Sequence, residues 1–328
     1  MSIQWPRFVQ LVNSHDRFLL TSHVRPDCDA LGSELGMAGV LEALGKSVMI
    51  VNAQKTPPNL AFIDPADQLK TLGVDVEPRD LEACEVLMVL DTSAWAQLGA
   101  MAEVVRATKA HKLILDHHIG EDDMGAELFK DPQAEATGRL VHEAAHHLGV
   151  RLTPAVAKPL FAAIATDTGW FRFGSTSGNT LRSAGELIDA GAMPSEIFSE
   201  LYEQDSLPRV QLRGRILART KTELNGRLAH TAALKEDFEA TGALPSDTED
   251  VINMTLSVGG TEVAVILVEQ PGGGFKLSFR SRTPALDCNE MAKTFGGGGH
   301  KAAAGAFVNL PWPLAQTKVL DAVRAVMR

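Results

Sequence analysis

Residues 21–33 read TSHVRPDCDALGS and place His23, Asp27 and Asp29 in one short loop. The apolar run at residues 17–21 predicts a buried strand before the loop, and leucines at helical spacing predict a helix after it. Because ligands bind at the carboxyl ends of strands in open α/β sheets, these side chains lie where a ligand would bind. The simpler alternative is that one aspartate caps the helix and that His23 is an ordinary surface residue.

The composition predicts a folded protein with two domains. The chain has 328 residues, more than one typical core needs, and 45% of them are hydrophobic. It contains no apolar run of membrane-spanning length and no signal-peptide pattern, so we expect a cytoplasmic location without membrane contact. Three widely spaced cysteines fit a reducing compartment, and Cys28 is not expected to be a metal ligand.

The formal net charge of −10 argues against a broad nucleic-acid-binding surface, which would be basic. A small phosphorylated substrate is compatible with this charge, because bound divalent cations would offset part of the local negative charge. Long nucleic acids are therefore not expected as partners.

Further acidic and imidazole side chains follow buried elements later in the chain. One buried apolar strand ends at Asp91, and the next runs into Asp116, His117 and His118. A helix that begins with Thr-Pro runs into Asp167. Each aspartate alone could be a turn residue, and the histidines alone could belong to a solvated turn.

The N-terminal half thus offers four carboxylates and two imidazoles from the ends of strands and helices. These candidate metal ligands are His23, Asp27, Asp29, Asp91, His117 and Asp167. Two carboxylates one residue apart repel each other unless a cation lies between them. A set rich in oxygen with two nitrogens suits Mn²⁺ or Mg²⁺ better than a thiolate-preferring metal. Two such ions can stabilise both oxygens of an in-line phosphoryl displacement.

A zinc metalloprotease is a weaker alternative. The predicted helix at residues 134–148 contains His142, Glu143 and His146 in the HExxH pattern, and Glu186 could supply a third ligand. The short pattern arises often by chance, and a protease would leave the acids at the strand ends unexplained. We therefore expect these residues to form a polar helix face.

The second half of the chain differs in character. Residues 180–224 predict helices that connect two domains, and from residue 227 onward the pattern is β-rich. The segment FGGGGHKAAAG at residues 295–305 places four glycines before His300, and we expect a short helix to follow. Backbone N–H groups of the glycines and of this helix can bind a phosphate. The alternative is a flexible loop. Four arginines on the last connecting helix are interpreted as a solvated face: Arg209, Arg213, Arg215 and Arg219.

Three aromatic residues close to Asp167 stand out because the chain is only 5% aromatic. They are Trp170, Phe171 and Phe173. At least one is expected in the core, and one is a candidate for stacking on a nucleobase.

The order of these motifs resembles that of a known family, the DHH phosphoesterases. HVRPDCDALGS, LDTS, LDHH and ATDTGWF resemble its four N-terminal motifs, and SFRSR followed by FGGGGHKAAAG resembles its substrate-binding C-terminal domain, called DHHA1. The resemblance covers nearly the whole chain. It implies an α/β fold with an N-terminal parallel-sheet DHH domain flanked by helices (residues 1–190), a helical connector (residues 191–224) and a smaller α/β DHHA1 domain (residues 225–328).

The resemblance also implies two divalent metal ions, with Mn²⁺ as the expected metal and Mg²⁺ as the alternative. Asp91 would bridge the two ions and take part in catalysis. The remaining ligands of the first ion would be His23 and Asp27. The remaining ligands of the second ion would be Asp29, His117 and Asp167.

Roles in catalysis and substrate binding follow from the same resemblance. His118 would contact the scissile phosphate and assist the leaving group, and Asp116 would orient the histidines. The substrate would be bound from the second domain by Arg280, Gly297, Gly298, Gly299 and His300.

Within the family, the compact architecture resembles the nanoRNases, which degrade very short RNAs and often dephosphorylate 3′-phosphoadenosine 5′-phosphate (pAp). The expected function is two-metal hydrolysis of short oligoribonucleotides, with pAp as a further substrate. Cyclic- or linear-dinucleotide phosphodiesterases share the architecture and are the main alternative. A nucleotide sensor that binds without cleaving is a weaker alternative. Such a sensor would be expected to lack a metal ligand, and none of the ligand positions is lost here. The oligomeric state stays open, with a homodimer among the options.

Overall fold

The computed structural model describes residues 3–284 and 286–327. The chain forms two compact units, the first ending at Gln204 and the second beginning at Asp205. This boundary falls inside the predicted connector, residues 191–224, so the connector's helices belong to both units. None of the helices in the described ranges is long and apolar enough to cross a lipid bilayer.

The N-terminal unit is a six-stranded parallel sheet with helices on both faces, which confirms the predicted fold class. Its elements are α1 (Trp5–Asn13), β1 (Arg17–Thr21), α2 (Cys28–Ala43), β2 (Ser47–Asn52), β3 (Leu69–Thr71), β4 (Val86–Leu90), α3 (Met101–Ala107), β5 (His111–Asp116), β6 (Glu127–Lys130), α4 (Thr137–His147), α5 (Pro154–Asp167), α6 (Gly178–Asp189) and α7 (Pro194–Tyr202). The strand order is β3-β2-β1-β4-β5-β6, so the order of the strands reverses between β1 and β4. Ligands bind at such a switch point, outside the carboxyl ends of the strands.

Two apolar layers hold this sheet. All five residues of β4 are buried, as expected of a parallel strand that is covered on both faces. Side chains on one face pack against α2, α4 and α5, and those on the other face pack against α3. Helix α4 begins at Thr137 rather than at the predicted residue 134, because Ala136 has an extended backbone.

The C-terminal unit is a mixed six-stranded sheet between helices. Its elements are α8 (Leu207–Ala218), β7 (Lys221–Glu223), β8 (Leu228–Ala233), α9 (Lys235–Thr241), α10 (Val251–Leu256), β9 (Val263–Glu269), β10 (Phe275–Ser281), α11 (Cys288–Lys293), β11 (Gly298–Gly299), β12 (Ala303–Val308) and α12 (Leu314–Met327). The strand order is β11-β12-β10-β9-β8-β7, and only β8 and β9 are parallel among these pairs. Helices α11 and α12 cover one face, and α8 and α10 cover the other.

The interpretation of the four arginines as a solvated face is wrong. The predicted helix at residues 207–224 ends at Ala218, and its arginines form ion pairs. Arg215 Nε and Arg219 Nη1 lie 2.9 and 2.6 Å from the two carboxylate oxygens of Asp237, which is fully buried. The other two arginines pair with Asp205. Buried carboxylates need such partners because an isolated buried charge is costly.

Candidate active site

The ends of three neighbouring strands bring predicted ligands together. His23 follows β1, Asp91 follows β4 and His117 follows β5. Asp91 has a left-handed backbone with φ 62°, and its N–H donates to the Leu115 carbonyl at 3.1 Å. A non-glycine residue in this conformation at the switch point is a mark of a functional constraint.

The first turn of α2 supplies two more of the predicted ligands. Asp27 caps the helix by accepting a hydrogen bond from the Ala30 N–H at 3.0 Å, so the capping alternative is correct for this residue. Asp29 is only 2% exposed, and its two oxygens accept the backbone N–H groups of Thr137 and Gly138, each at 2.8 Å. These N–H groups lie at the N-terminus of α4, where the helix dipole also favours a carboxylate.

The six predicted ligands form two groups that share Asp91. In the first group, His23 Nε2 lies 3.3 Å from Asp91 Oδ2 and 3.8 Å from Asp27 Oδ1. The other ring nitrogen of His23 lies 3.0 Å from the Val24 carbonyl oxygen. Because a carbonyl can only accept, Nδ1 carries the hydrogen, and Nε2 is the atom available to a metal ion.

The second group is centred on His117. Its Nε2 lies 3.5 Å from Asp91 Oδ1, 3.7 Å from Asp29 Oδ2 and 3.7 Å from Asp167 Oδ2. Its Nδ1 lies 3.2 Å from the Ala134 carbonyl oxygen, so this ring also turns Nε2 toward the carboxylates. Asp91 thus presents one oxygen to each group.

The crowded carboxylates perturb one another's pKa values. Burial, followed by the charges of Asp91 and Asp167, raises the pKa of Asp29 well above its ordinary value. Burial is also the largest cause that raises the pKa of Asp167 to about 6. Burial is the largest single effect on the pKa of His23 and would lower it, but the hydrogen bonds to Asp91 and Val24 together with the charges of Asp91 and Asp27 raise it to about 9. Divalent cations would replace the protons that these groups attract, so this oxygen-rich donor set fits two such ions.

His118 is held by a hydrogen bond to Asp116. Its side chain is 54% exposed, and its Nδ1 donates to Asp116 Oδ1 at 2.8 Å. Burial alone would raise the pKa of Asp116, but hydrogen bonds from His118 and Ser93, with the charge of Lys130, lower it to about 2. The hydrogen bond to the ionised Asp116 in turn raises the pKa of His118. Asp116 orients His118, whereas the ring of His117 is held by a backbone carbonyl instead.

A cavity of about 540 Å³ adjoins these side chains in the N-terminal unit. Its lining includes His23, Arg25, Asp27, Asp91 and His118. This volume is in the range of pockets for small molecules, and the lining of the cavity includes the shared residue Asp91.

The aromatic residues divide between core and surface. Trp170 and Phe171 pack against Phe161, with ring centroids 6.0 and 5.8 Å from it. Phe173 is 53% exposed, and the Arg172 guanidinium lies 5.9 Å from the centre of its ring. Phe173 is therefore the exposed aromatic residue of this set, whereas Trp170 and Phe171 are half-buried.

The predicted substrate-binding residues lie at one end of the C-terminal sheet. Arg280 of β10 pairs in register with Ala303 of β12, while Gly298 and Gly299 form β11 on the opposite side of β12. His300 lies in the exposed turn between β11 and β12. The sheet thus gathers the SFRSR and glycine-rich segments, which are distant in sequence.

The prediction of a phosphate-binding helix after His300 is wrong, because this segment continues into β12. The N–H of Gly297 donates to a carbonyl of α11, and that of Gly299 donates to the Asn289 side chain at 3.0 Å. The strand pairing itself requires glycine at positions 297 and 299, since a Cβ on Gly297 would lie 2.1 Å from the Gly305 carbonyl oxygen and one on Gly299 would lie 2.6 Å from Ala304 Cα.

The structure argues against the zinc-protease alternative, because the residue that would be its catalytic base forms an ion pair. His142, His146 and Glu186 come together further along α4, apart from the two groups at the strand ends. Glu143, which would be the general base of a protease, forms an ion pair with Arg139. Its carboxylate is therefore occupied by a guanidinium.

Sequence reasoning missed the residues that hold the ligands in place. Thr137 Oγ1 donates to Asp91 Oδ1 at 2.9 Å. Ser93 Oγ and Lys130 Nζ lie 2.7 and 3.1 Å from Asp116 Oδ2. A threonine at the start of an amphipathic helix is visible in the sequence, but its distant carboxylate partner is not.

Family models match both units. The N-terminal domain of the DHH family matches residues 17–164, and the DHHA1 domain matches residues 236–328. A relative from Thermus thermophilus, the bifunctional oligoribonuclease and PAP phosphatase NrnA, is 32% identical over 93% of this chain and 88% of its own length. The chain belongs to the DHH family.

Other comparisons agree with this membership. A Bacillus subtilis relative of the same name is 29% identical to this DHH protein over 92% of each chain. The crystal structure of an exopolyphosphatase-related protein from Bacteroides fragilis superimposes with a TM-score of 0.86 at 25% identity, covering 98% of this chain and 96% of the other. DHH proteins of this type are phosphoesterases, so this chain is a hydrolase of phosphoester bonds.

Proposed function

We propose that this DHH protein hydrolyses short oligoribonucleotides and also removes a phosphate from pAp. The two relatives named above carry both activities in their names, and they align over nearly their whole length. The net charge of −10 also favours a short substrate over a long nucleic acid.

The observation that carries this proposal is the sharing of Asp91 between two ligand groups. His23 and Asp27 complete the first group around Asp91 Oδ2. In the second group, His117 Nε2 approaches Asp91 Oδ1, Asp29 Oδ2 and Asp167 Oδ2, so these residues would hold the second ion. We propose Mn²⁺ as the metal, with Mg²⁺ as the alternative, because the donors are carboxylate oxygens with one imidazole in each group. When bound, two such ions supply Lewis-acid stabilisation of the charge that develops on phosphorus-bound oxygens.

The proton chemistry falls to His118. Asp116 fixes the hydrogen on Nδ1 and raises the pKa of His118, so the protonated ring can donate from Nε2 to the departing oxygen. We propose that the exposed ring of Phe173 stacks on a base of the substrate. In the C-terminal unit, Arg280 and His300 would bind substrate phosphate, together with the stretch Gly297–Gly299, of which Gly298 and Gly299 are exposed.

Hydrolysis of a defined panel tests the proposal. The purified chain with Mn²⁺ is given a 5′-labelled RNA dinucleotide, a pentanucleotide, a 24-mer, cyclic di-AMP and pAp. Rapid cleavage of the two short RNAs with little cleavage of the 24-mer is expected. Preference for cyclic di-AMP would instead favour the dinucleotide phosphodiesterase, and tight binding without cleavage would favour a sensor.

Two variants test the assigned roles. Asp91→Asn should lower kcat by more than about 100-fold, since even residues that only support a metal ligand contribute roughly 10–100-fold. Asp67→Asn is the matched control, because Asp67 is 89% exposed and pairs only locally with Lys70. Arg280→Ala should mainly raise KM. Full activity of Asp91→Asn at limiting Mn²⁺ would refute the shared site.

A further inference from the structure

A second group of metal-competent side chains lies on α4 and α6. His142 and His146 are four residues apart on α4, so both project from the same face of the helix. Their Nε2 atoms are 3.3 Å apart. Glu186 of α6 approaches both, with Oε2 at 3.2 Å from His142 Nε2 and 2.7 Å from His146 Nε2.

These separations match the edges of a zinc coordination polyhedron. Zinc bonds of about 2.0–2.1 Å to nitrogen and oxygen at tetrahedral angles place ligand atoms about 3.3–3.4 Å apart. The two edges at His142 already have this length. The third edge, between His146 and Glu186, is the length of a hydrogen bond and needs to open by only about 0.6 Å. Both of these side chains are about half exposed, so the adjustment meets little resistance.

The donor chemistry points to a different metal from that of the active site. Two imidazole nitrogens and one carboxylate oxygen form a set that zinc and similar transition metals prefer, whereas Mg²⁺ and Ca²⁺ favour oxygen. His142 is 3% exposed, so its position is fixed by packing. The exposed side of His146 and Glu186 leaves the fourth coordination position to water.

We propose that His142, His146 and Glu186 bind one Zn²⁺ ion, separate from the ions of the active site. The ion joins α4 to α6, two helices that are far apart in sequence. Its role is binding rather than proteolysis, because Glu143 is paired with Arg139 and is not available as a general base.

Zinc stoichiometry tests this site in the full chain. Wild type and three variants are dialysed against Zn²⁺, and bound metal per chain is measured by elemental mass spectrometry. His146→Ala and Glu186→Gln should each bind one ion fewer, or bind it at least about tenfold more weakly, since direct ligands contribute no less than the residues that support them. His147→Ala is the matched control, because this neighbouring ring stacks on Trp5 instead.

Further measurements separate this site from the active site. Side-chain ¹⁵N NMR of wild type should show Zn²⁺-induced shifts of both His142 and His146, and Zn²⁺ should raise the Tm of wild type and His147→Ala more than that of His146→Ala. Hydrolysis with Mn²⁺ should be unchanged in His146→Ala. Equal stoichiometry and affinity in all four chains, with unshifted His142 and His146 resonances, would overturn the proposal whatever the outcome for the hydrolytic function.

Discussion

Replacing Thr137 with valine tests how α4 supports the shared ligand. Thr137→Val keeps the size of the side chain and the backbone N–H to Asp29, but removes the 2.9 Å hydrogen bond to Asp91 Oδ1. A hydrogen bond to a charged group contributes about 1.5–3 kcal/mol. At about 1.4 kcal/mol per factor of ten, the Kd for Mn²⁺ should rise roughly 10- to 150-fold. Much of the lost hydrolysis should return at saturating Mn²⁺, because Thr137 positions Asp91 and does not itself touch the substrate.

The assay is hydrolysis of the RNA dinucleotide across a Mn²⁺ titration, with direct Mn²⁺ binding followed by electron paramagnetic resonance. Thr255→Val is the matched control, because Thr255 is also a buried helical threonine but donates only to a carbonyl of its own helix at 3.1 Å. A Kd for Thr137→Val within about twofold of wild type, with the fold intact, would show that α4 does not hold the bridging carboxylate. Such a change corresponds to less than about 0.5 kcal/mol, below the range expected for a charged hydrogen bond.

Three further changes follow from the packing and electrostatics. Gly32→Ala should lower the Tm by roughly 2–12 °C, because the added Cβ would lie 2.4 Å from a backbone oxygen of α5, and overpacking costs about 1–3 kcal/mol. Its control is Gly185→Ala, which has open space around it and should raise the Tm slightly. Asp116→Asn should lower the pKa of His118 and move the alkaline limb of the pH–kcat profile to lower pH. Asp237→Asn should lower the free energy of unfolding by about 2 kcal/mol at pH 7, because burial of Asp237 is outweighed by hydrogen bonds from Arg219, Leu234 and Arg215, which together lower its pKa to about 2.

The sign of the pH effect at Asp237 follows from its lowered pKa. The contribution of Asp237 to the free energy of unfolding is complete above the ordinary pKa of 3.8 and is lost as the pH falls toward 2. The free energies of unfolding of wild type and variant should therefore converge in strong acid. Urea unfolding at pH 7 and pH 2 measures this difference, and a difference independent of pH would contradict it. Asp321→Asn is a suitable control, since its carboxylate is 64% exposed and its ion pair should contribute little. An unmoved alkaline limb in Asp116→Asn would contradict the inference that Asp116 raises the pKa of His118. An unchanged Tm in Gly32→Ala would contradict the close packing of Gly32 against α5.

Patterns that are contiguous in the sequence determine the main strands and the candidate ligands of this protein. The buried apolar runs of β1, β4 and β5 are each followed directly in sequence by polar residues. An apolar run that ends at polar residues can be recognised from the sequence alone. The carboxyl ends of parallel strands meet at one edge, and this rule alone predicts that His23, Asp91 and His117 lie together. The motif order also predicts the family, which the family models confirm.

Only the tertiary structure decided which atoms face one another. The N–H of Thr137 donates to Asp29 across 108 positions of sequence, and Arg219, which was expected on a solvated face, pairs with the buried carboxylate of Asp237. The expected helix after His300 became a strand because β12 forms its hydrogen bonds with β10, more than 20 residues earlier. Hydrogen bonds and charges act over a few ångströms in space, so their partners depend on how helices and strands pack, whereas local periodicity reports only which face of each element is apolar.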